Sequence, residues 1–354
     1  MLFSCRANVK GTPMQVSIRL SALILSAVLV SATDNGFAQT NFYEGKTIRM
    51  IVGFTAGGGY DAYTRTISRH MGKHIPGHPS LLVENMPGAG SMISANYTYK
   101  AAKPDGLTIG HFIGGLFLQQ ILEKPGIEFD ASKFQFIGVP AQDNFLFGIA
   151  KSTGIADLES WMASKQVVKF GGVASGSGSD DFPNVLKVTL GLAIQLVSGY
   201  KGTADVRLAF NSGEIAGISN SWESTKSTWR KELESGELKL ILQATLKPHP
   251  EFPKLAMALN YAKTEEAKRL ISTVARVHGP TVRPYVLPPN TPKDRVQIMR
   301  KAFMDTMKDP EFLGEAKKAN LDINPDDGAT LEQNVKEILK LEPALVSKLK
   351  EILK

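Results

Sequence analysis

Short apolar runs, glycine-rich turns and amphipathic helices follow one another repeatedly along this chain, and that order leaves few architectures open. Residues 47–54 (TIRMIVGF) read as a strand and Gly57-Gly58-Gly59 as a turn. A helix follows in which Tyr63, Ile67 and Met71 recur every four residues, and it ends at Pro76-Gly77. Residues 80–84 read as a second strand, Pro87-Gly88-Ala89-Gly90 as the opening of a second helix, and 108–112 as a third strand. Parallel neighbours need a crossover, so this order predicts a parallel sheet with helices on its faces. Residues 134–139 and 145–150 add two strands around a polar break at Gln142-Asp143-Asn144. The logic then restarts with a strand at 167–171, a Ser/Gly turn at 175–179 and a helix through Leu186. A strand at 194–197, Tyr200-Lys201-Gly202 and a helix to about Asn211 come next, then strands at 214–219 and 238–244. From Pro292 the pattern is mainly helical, with breaks at Pro325 and Pro343.

The chain has 354 residues, 43% hydrophobic and 21% charged, which suits roughly two domains of ~150 residues and a cleft between them. Residues 1–38 read differently: Arg6, Lys10 and Arg19 precede an apolar run at 20–30, and Gly36-Phe37-Ala38 supplies small residues at −3 and −1. That is a secretory signal cut after Ala38, with Met1 or Met14 as its start; the run is short of the ~20 residues of a membrane span. The single cysteine, Cys5, precedes the run, so the mature chain carries no thiol for catalysis, disulfides or metal. The net charge of +7 becomes +5 once three basic and one acidic residue leave with the signal. Basic residues are scattered, which argues against nucleic acid as a partner.

Three Gly/Ser turns fall at strand ends and helix starts, over 55–61, 87–91 and 175–180. Unpaired N–H groups and the positive end of the helix dipole favour an anion there. The alternative is an exported NAD-dependent oxidoreductase. Gly57-x-Gly59-x-x-Ala62 follows a strand and opens a helix, and Glu84 ends the next strand, as in a dinucleotide fingerprint. His70 and His74 share a helix face, but without an HExxH pattern, and before the break at Pro76-Gly77 they read as a solvated helix end. No GxSxG elbow occurs, and Ser175, Ser177 and Ser179 read as donors and helix caps rather than nucleophiles.

The runs FYEGKTIRMIVGFTAGGGYDAYTR, VENMPGAGSMISANYTYKAAKPDG, GGVASGSGSDDF, YKGTADVRLAFNSGEIAG and PPNTPKDRVQIMRKAFMDTMKDPEF resemble the Bug-type extracytoplasmic receptors of tripartite tricarboxylate transporters. The resemblance implies a two-lobed periplasmic-binding-protein-like type II α/β fold, each lobe a mostly parallel sheet flanked by helices. Lobe I would be 39–144 plus 270–354, and lobe II 145–269. It implies a receptor, not an enzyme: a periplasmic monomer that takes a small carboxylated solute by interlobe closure, delivers it to membrane permease subunits, and needs no cofactor or metal. Carried onto this sequence, the solute site would comprise Phe54, Thr55, Ala56, Gly57, Gly58, Gly59 and Asp61, then Gly88, Ala89, Gly90 and Ser91. The opposing lobe would add Ser175, Gly176, Ser177, Gly178 and Ser179, then Tyr200, Lys201, Gly202, Ser219 and Asn220. Asp61 reads as a helix cap, since its charge would repel an anionic solute, or as a pocket residue that acts through water or a substrate ammonium. Thr55, where the family commonly has Pro, and the segment Ser219-Asn220-Ser221-Trp222 depart from the family pattern.

Overall fold

The computed structural model describes residues 42–353, so the expected signal segment and its cleavage site lie outside the described residues. Two sheets organise the chain. Strands β1 (Thr47–Val52), β2 (Ser80–Asn85), β3 (Thr108–His111) and β4 (Gln135–Val139) run in one direction in the first. Helices α1 (Gly59–Met71), α2 (Met92–Lys100) and α3 (Gly115–Ile121) lie between them in sequence. Strand β1 is buried because its neighbours cover it on both sides: Ile48, Met50, Ile51 and Val52 are all fully shielded. Tyr63, Ile67 and Met71 form the buried stripe of α1, as their spacing requires.

The second sheet has the order β7-β6-β8-β5-β9. It contains β5 (Phe145–Ala150), β6 (Val168–Gly171), β7 (Ile194–Val197), β8 (Gly217–Ser221) and β9 (Leu238–Gln243). Helices α4 (Leu158–Ser164), α5 (Gly178–Leu190), α6 (Thr203–Asn211) and α7 (Trp222–Thr228) accompany it. Helix α5 continues four residues past the expected Leu186 and stops at Gly191, whose φ of +69° suits a residue without a side chain. The chain then forms α8 (Glu265–His278) and β10 (Tyr285–Leu287). Strand β10 inserts antiparallel between β3 and β4, and β11 (Asp326–Asp327) completes that edge. In the second sheet β5 is the strand opposed to its neighbours β8 and β9. Both sheets are therefore mixed rather than mostly parallel: β10 and β11 oppose their neighbours in the first and β5 in the second, and β5 and β10 directly follow the segments passing between the sheets.

Helix α8 was not legible as an element, although its signals are present in hindsight. Thr264 Oγ1 accepts from Ala267 N–H at 3.1 Å, Glu265 and Glu266 suit the first turn, and Leu270, Ile271, Val274 and Val277 form one buried face. It runs unbroken across residue 270 and packs on α5, beside the second sheet. Helices α9 (Lys293–Thr306), α10 (Pro310–Lys318), α11 (Gly328–Ile338) and α12 (Pro343–Ile352) fill the C-terminal part. Pro343 opens α12 rather than breaking a helix, because the first turn has no intrahelical use for an N–H. His70 and His74 are not a solvated helix end. They lie 2.7 Å from Glu315 and 2.8 Å from Asp309, carboxylates at the opposite ends of α10.

Two segments pass between the sheets, 140–144 and 279–284, and Asp143 N–H donates to the Gly279 carbonyl at 3.2 Å. Here the polar break read at 142–144 acquires its reason. The Asp143 carboxylate lies 2.5 Å from Arg283 Nε, with both side chains essentially out of solvent.

Candidate functional site in the interlobe cleft

Strand β1 and the turn after it deliver the start of α1 to the cleft, where the starts of α5 and α6 meet it from the other lobe. Together with the end of β8, these enclose a cavity of about 40 Å³. That is room for about three water-sized groups at ~10–15 Å³ each. Its wall includes Gly58 and Gly59 at α1, Ser177, Gly178 and Ser179 at α5, Thr203 at α6, and Asn220 and Ser221 at the end of β8. Phe54, Tyr60, Ile113, Phe145, Val173 and Val282 supply most of the apolar surface, and among the described residues no Lys, Arg or His side chain lines it.

The lobes are closed against each other, and glycine makes that possible. A methyl group added at Gly59 would overlap Ser224 Oγ and lie 2.8 Å from Ser224 Cβ. One added at Gly58 would lie 2.9 Å from Thr203 Oγ1, and one at Gly90 would lie 2.7 Å from Ala174 Cβ. The backbone N–H groups of Gly58, Gly59, Gly178, Ser179, Thr203 and Ala204 have no hydrogen-bond acceptor among the described residues. They are first-turn donors, which a helix cannot satisfy internally. Ser177 occupies the cap position of α5 without capping it. Its hydroxyl lies 2.7 Å from the Ala174 carbonyl and 2.8 Å from Asp180 Oδ1, giving its one proton within its own turn and leaving the donors at 178 and 179 open.

Under the cavity floor lies Arg283, fully buried. Its Nη2 donates to Ser221 Oγ at 3.0 Å and to Ser224 Oγ at 2.7 Å, and its carbon sits 4.8 Å from the Tyr60 ring centre and 4.7 Å from that of Tyr63. Nη1 has no partner among the described residues. Burial pushes the Asp143 carboxyl up and Arg283 draws it back, with a net rise. Glu223, held by Asn144 N–H at 2.9 Å and Asn144 Nδ2 at 2.8 Å, is pushed up to about 8, first by burial and then by Asp143.

Of the residues expected at the site, Phe54, Gly58, Gly59, Ser177, Gly178, Ser179 and Asn220 line this cavity. Gly88, Ala89, Gly90, Ser175, Tyr200 and Lys201 line a separate open depression between the lobes, which shares Val173 with the cavity. The others stand behind or beside these walls. Thr55 Oγ1 donates to Asp205 Oδ2 at 3.1 Å across the cleft, a bond that proline could not make. Ala56 and Gly57 are exposed, and Gly57 needs its φ of +81° for the turn. Asp61 does not line the cavity and caps no helix donor; it ties the start of α1 to its own loop and to the neighbouring strand. Its carboxylate takes Gly57 N–H at 3.0 Å, Arg65 Nε at 2.9 Å and Asn85 Nδ2 at 2.9 Å. Burial opposes its charge, but those bonds outweigh it and hold the carboxyl below the usual range. Ser91 Oγ accepts from Ile113 N–H at 3.0 Å, and Gly176 N–H donates to Asp181 Oδ1 at 3.0 Å. Ser219 Oγ donates to the Gly178 carbonyl at 3.2 Å, and Gly202 abuts Thr55.

The reading missed Asp143, Phe145, Thr203, Ser221, Ser224 and Arg283. Asp143 had a signal, a carboxylate in a polar break between two apolar strands. Arg283 sits far along the chain in a stretch without periodicity and had none. The dinucleotide alternative fails on geometry: Glu84 is taken by Arg49 through two bonds of 2.7 Å, and the start of α1 faces the other lobe across a cavity too small for a dinucleotide.

Two α/β lobes closed over a donor-lined cavity, with paired crossing segments between them, define a binding protein of the hinged, two-lobed class. The family profile of the tripartite tricarboxylate transporter family receptor matches residues 64–350. The chain belongs to that family, which is one of solute-binding receptors and not of enzymes. A UPF0065 protein in the gbd 5′ region of Cupriavidus necator is 23% identical over 341 residues, covering 94% of this chain and 95% of that protein. The periplasmic binding protein BugD superposes with a TM-score of 0.71 at 21% identity, over 88% of this chain and 98% of that one. MatC from Rhodopseudomonas palustris, solved with bound malate, gives 0.68 at 18%, over 87% and 99%.

Proposed function

We propose that this chain is an exported receptor that captures a small carboxylate by lobe closure and passes it unchanged to the permease subunits of a tripartite transporter. The observation that carries the reading is the convergence of three helix starts on one cavity that no cationic side chain enters among the described residues. Fixed backbone donors suit a carboxylate and need no ordering when it arrives. Phe54, Gly58, Gly59, Ser177, Gly178, Ser179 and Asn220 would meet the solute, and Lys201, exposed at the neighbouring depression, would draw anions toward the cleft. Removal of residues 1–38 after Ala38 belongs to the same reading. The moving bodies would be 39–144 with the chain from about 279 to 341, and 145 to about 278 with α12. The boundary shifts from 270 because α8 is one continuous helix, and α12 goes with the second lobe because it packs on α5 and pairs with α8 through Arg269–Glu342 and Lys348–Glu266.

The cavity also offers acceptors, Asp143 and Asn220. Thr225 Oγ1 gives its single proton to the Ser221 carbonyl at 2.8 Å, so Asn220 must donate Nδ2 to Thr225, which leaves Asn220 Oδ1 without a partner among the described residues. A compact carboxylate with a neighbouring hydroxyl or amine would satisfy both kinds of group, and the malate of MatC is a hydroxy acid. The small cavity favours a few heavy atoms over a tricarboxylate.

Thermal-shift screening after unfolding and refolding, which strips any resident solute, tests this. Short 2-hydroxy and 2-amino acids should raise the midpoint by roughly 5 °C at a hundredfold excess over Kd, ahead of their deoxy analogues and of citrate. No shift with any carboxylate, or chemical turnover of the one that binds, would overturn the receptor reading.

A further inference from the structure

The end of α1, the short turn after it and the start of α10 bring together a set of metal-ligating side chains that the cleft does not use. His70 lies in the last turn of α1 and His74 in the 3-10 turn Gly72–His74 that follows it, and both face α10. A ring nitrogen of His70, an oxygen of Asp309 and an oxygen of Glu311 all lie within 4.8 Å of one another. His74 Nε2 is 2.8 Å from Asp309 Oδ2. The Lys73 ammonium bridges the two carboxylates, 2.6 Å from Asp309 Oδ2 and 2.5 Å from Glu311 Oε2. A cationic group therefore already occupies the point where they converge.

The geometry points to a zinc site formed by His70, His74, Asp309 and Glu311, in which the ion takes the place of the Lys73 ammonium. Two imidazoles and carboxylates are a donor set for Zn²⁺ rather than for Ca²⁺ or Mg²⁺, which prefer oxygen alone. Bonds of ~2.0–2.1 Å in a tetrahedron set the donors about 3.3 Å apart, so the ion would draw His70, Asp309 and Glu311 together, with His70 turning from Glu315, and His74, outside that group, would join through its contact with Asp309. Asp309 is nearly buried and fixed by its cap bond to Glu311 N–H at 2.9 Å, while the Lys73 side chain is 41% exposed and free to swing out. Two carboxylates neutralise the divalent ion, and it would pin the end of α1 to the start of α10.

The test titrates ZnCl₂ into tag-free mature protein stripped with EDTA, read by calorimetry and by competition with a chromophoric chelator. One ion per chain is expected. Lys73→Met should tighten binding three- to tenfold, because the competing ammonium is gone. His74→Ala should weaken it at least tenfold, as should Asp309→Asn, whose side chain still caps α10. Far-ultraviolet dichroism checks that each variant is folded. Absence of binding at 100 micromolar zinc, or binding that ignores His74→Ala and Lys73→Met, would overturn the site.

Discussion

Arg283 lies 2.5 Å from Asp143 through Nε, and the pair ties together the two segments that cross between the lobes. Both side chains are buried, so neither charge has water to fall back on. The same guanidinium reaches Ser221 and Ser224 of the second lobe. Asp143→Ala should therefore cost about 3–5 kcal/mol of stability, the range for leaving one buried ion unpaired. Pairing it with Arg283→Met should cost less than the sum of the two single changes, as denaturant titrations of all four proteins would reveal.

Closure depends on the missing side chain at Gly59. Its added methyl would overlap Ser224 Oγ, one of the two hydroxyls that hold Arg283. Gly59→Ala should weaken solute binding by ~10-fold or more, equivalent to about 1.4 kcal/mol, and scattering should show a less compact protein with solute. Gly58→Ala meets only the Thr203 hydroxyl at 2.9 Å and should do less. Equal affinities in both variants and the parent would sink this account.

Thr55 latches the lobes through Asp205 at 3.1 Å. Thr55→Val keeps the shape and removes the bond, so about 0.5–1.5 kcal/mol of closed-state stability should disappear. Calorimetry should record it as an affinity loss of up to about tenfold, with the binding enthalpy reduced.

Stability should also fall as pH rises from about 4.5 to about 8. In the folded protein Glu223 titrates at about 8, while in the unfolded chain it titrates near its ordinary ~4.3. Between those values the native state holds a proton that the unfolded state has released, so stability declines through the window. Glu223→Gln cannot ionise, and its denaturation midpoint should vary less over pH 5–8. Parallel profiles for variant and parent would contradict the assignment.

Local signals carried most of the first-lobe architecture and half of the cleft. The stripe Tyr63, Ile67, Met71 located α1, and the glycines at 57–59 located its start, because period and turn chemistry are properties of neighbours in sequence. The serines at 175–179 were found for the same reason, but the direction of the Ser177 hydroxyl was not, since a cap and a backward bond to Ala174 are equally local. Asp61 was ambiguous for a similar cause: whether a first-turn carboxylate faces a pocket or its own loop depends on where Arg65 and Asn85 stand.

What the sequence alone determined is the order of strand, turn and helix, and the presence of helix starts with free donors at strand ends. Hydrophobic period and glycine conformation act within a few residues and need no tertiary context. Which of those starts meet was decided only by the tertiary structure. Three gather on one cavity, while the turn at 88–90 opens onto a neighbouring depression. Asp143 finds Arg283 across 140 residues of chain, and the His70–His74 pair finds Asp309 across more than 230. Such pairings follow from long-range packing of sheets and helices, in which burial of apolar faces fixes the frame and buried charges must then find their partners within it.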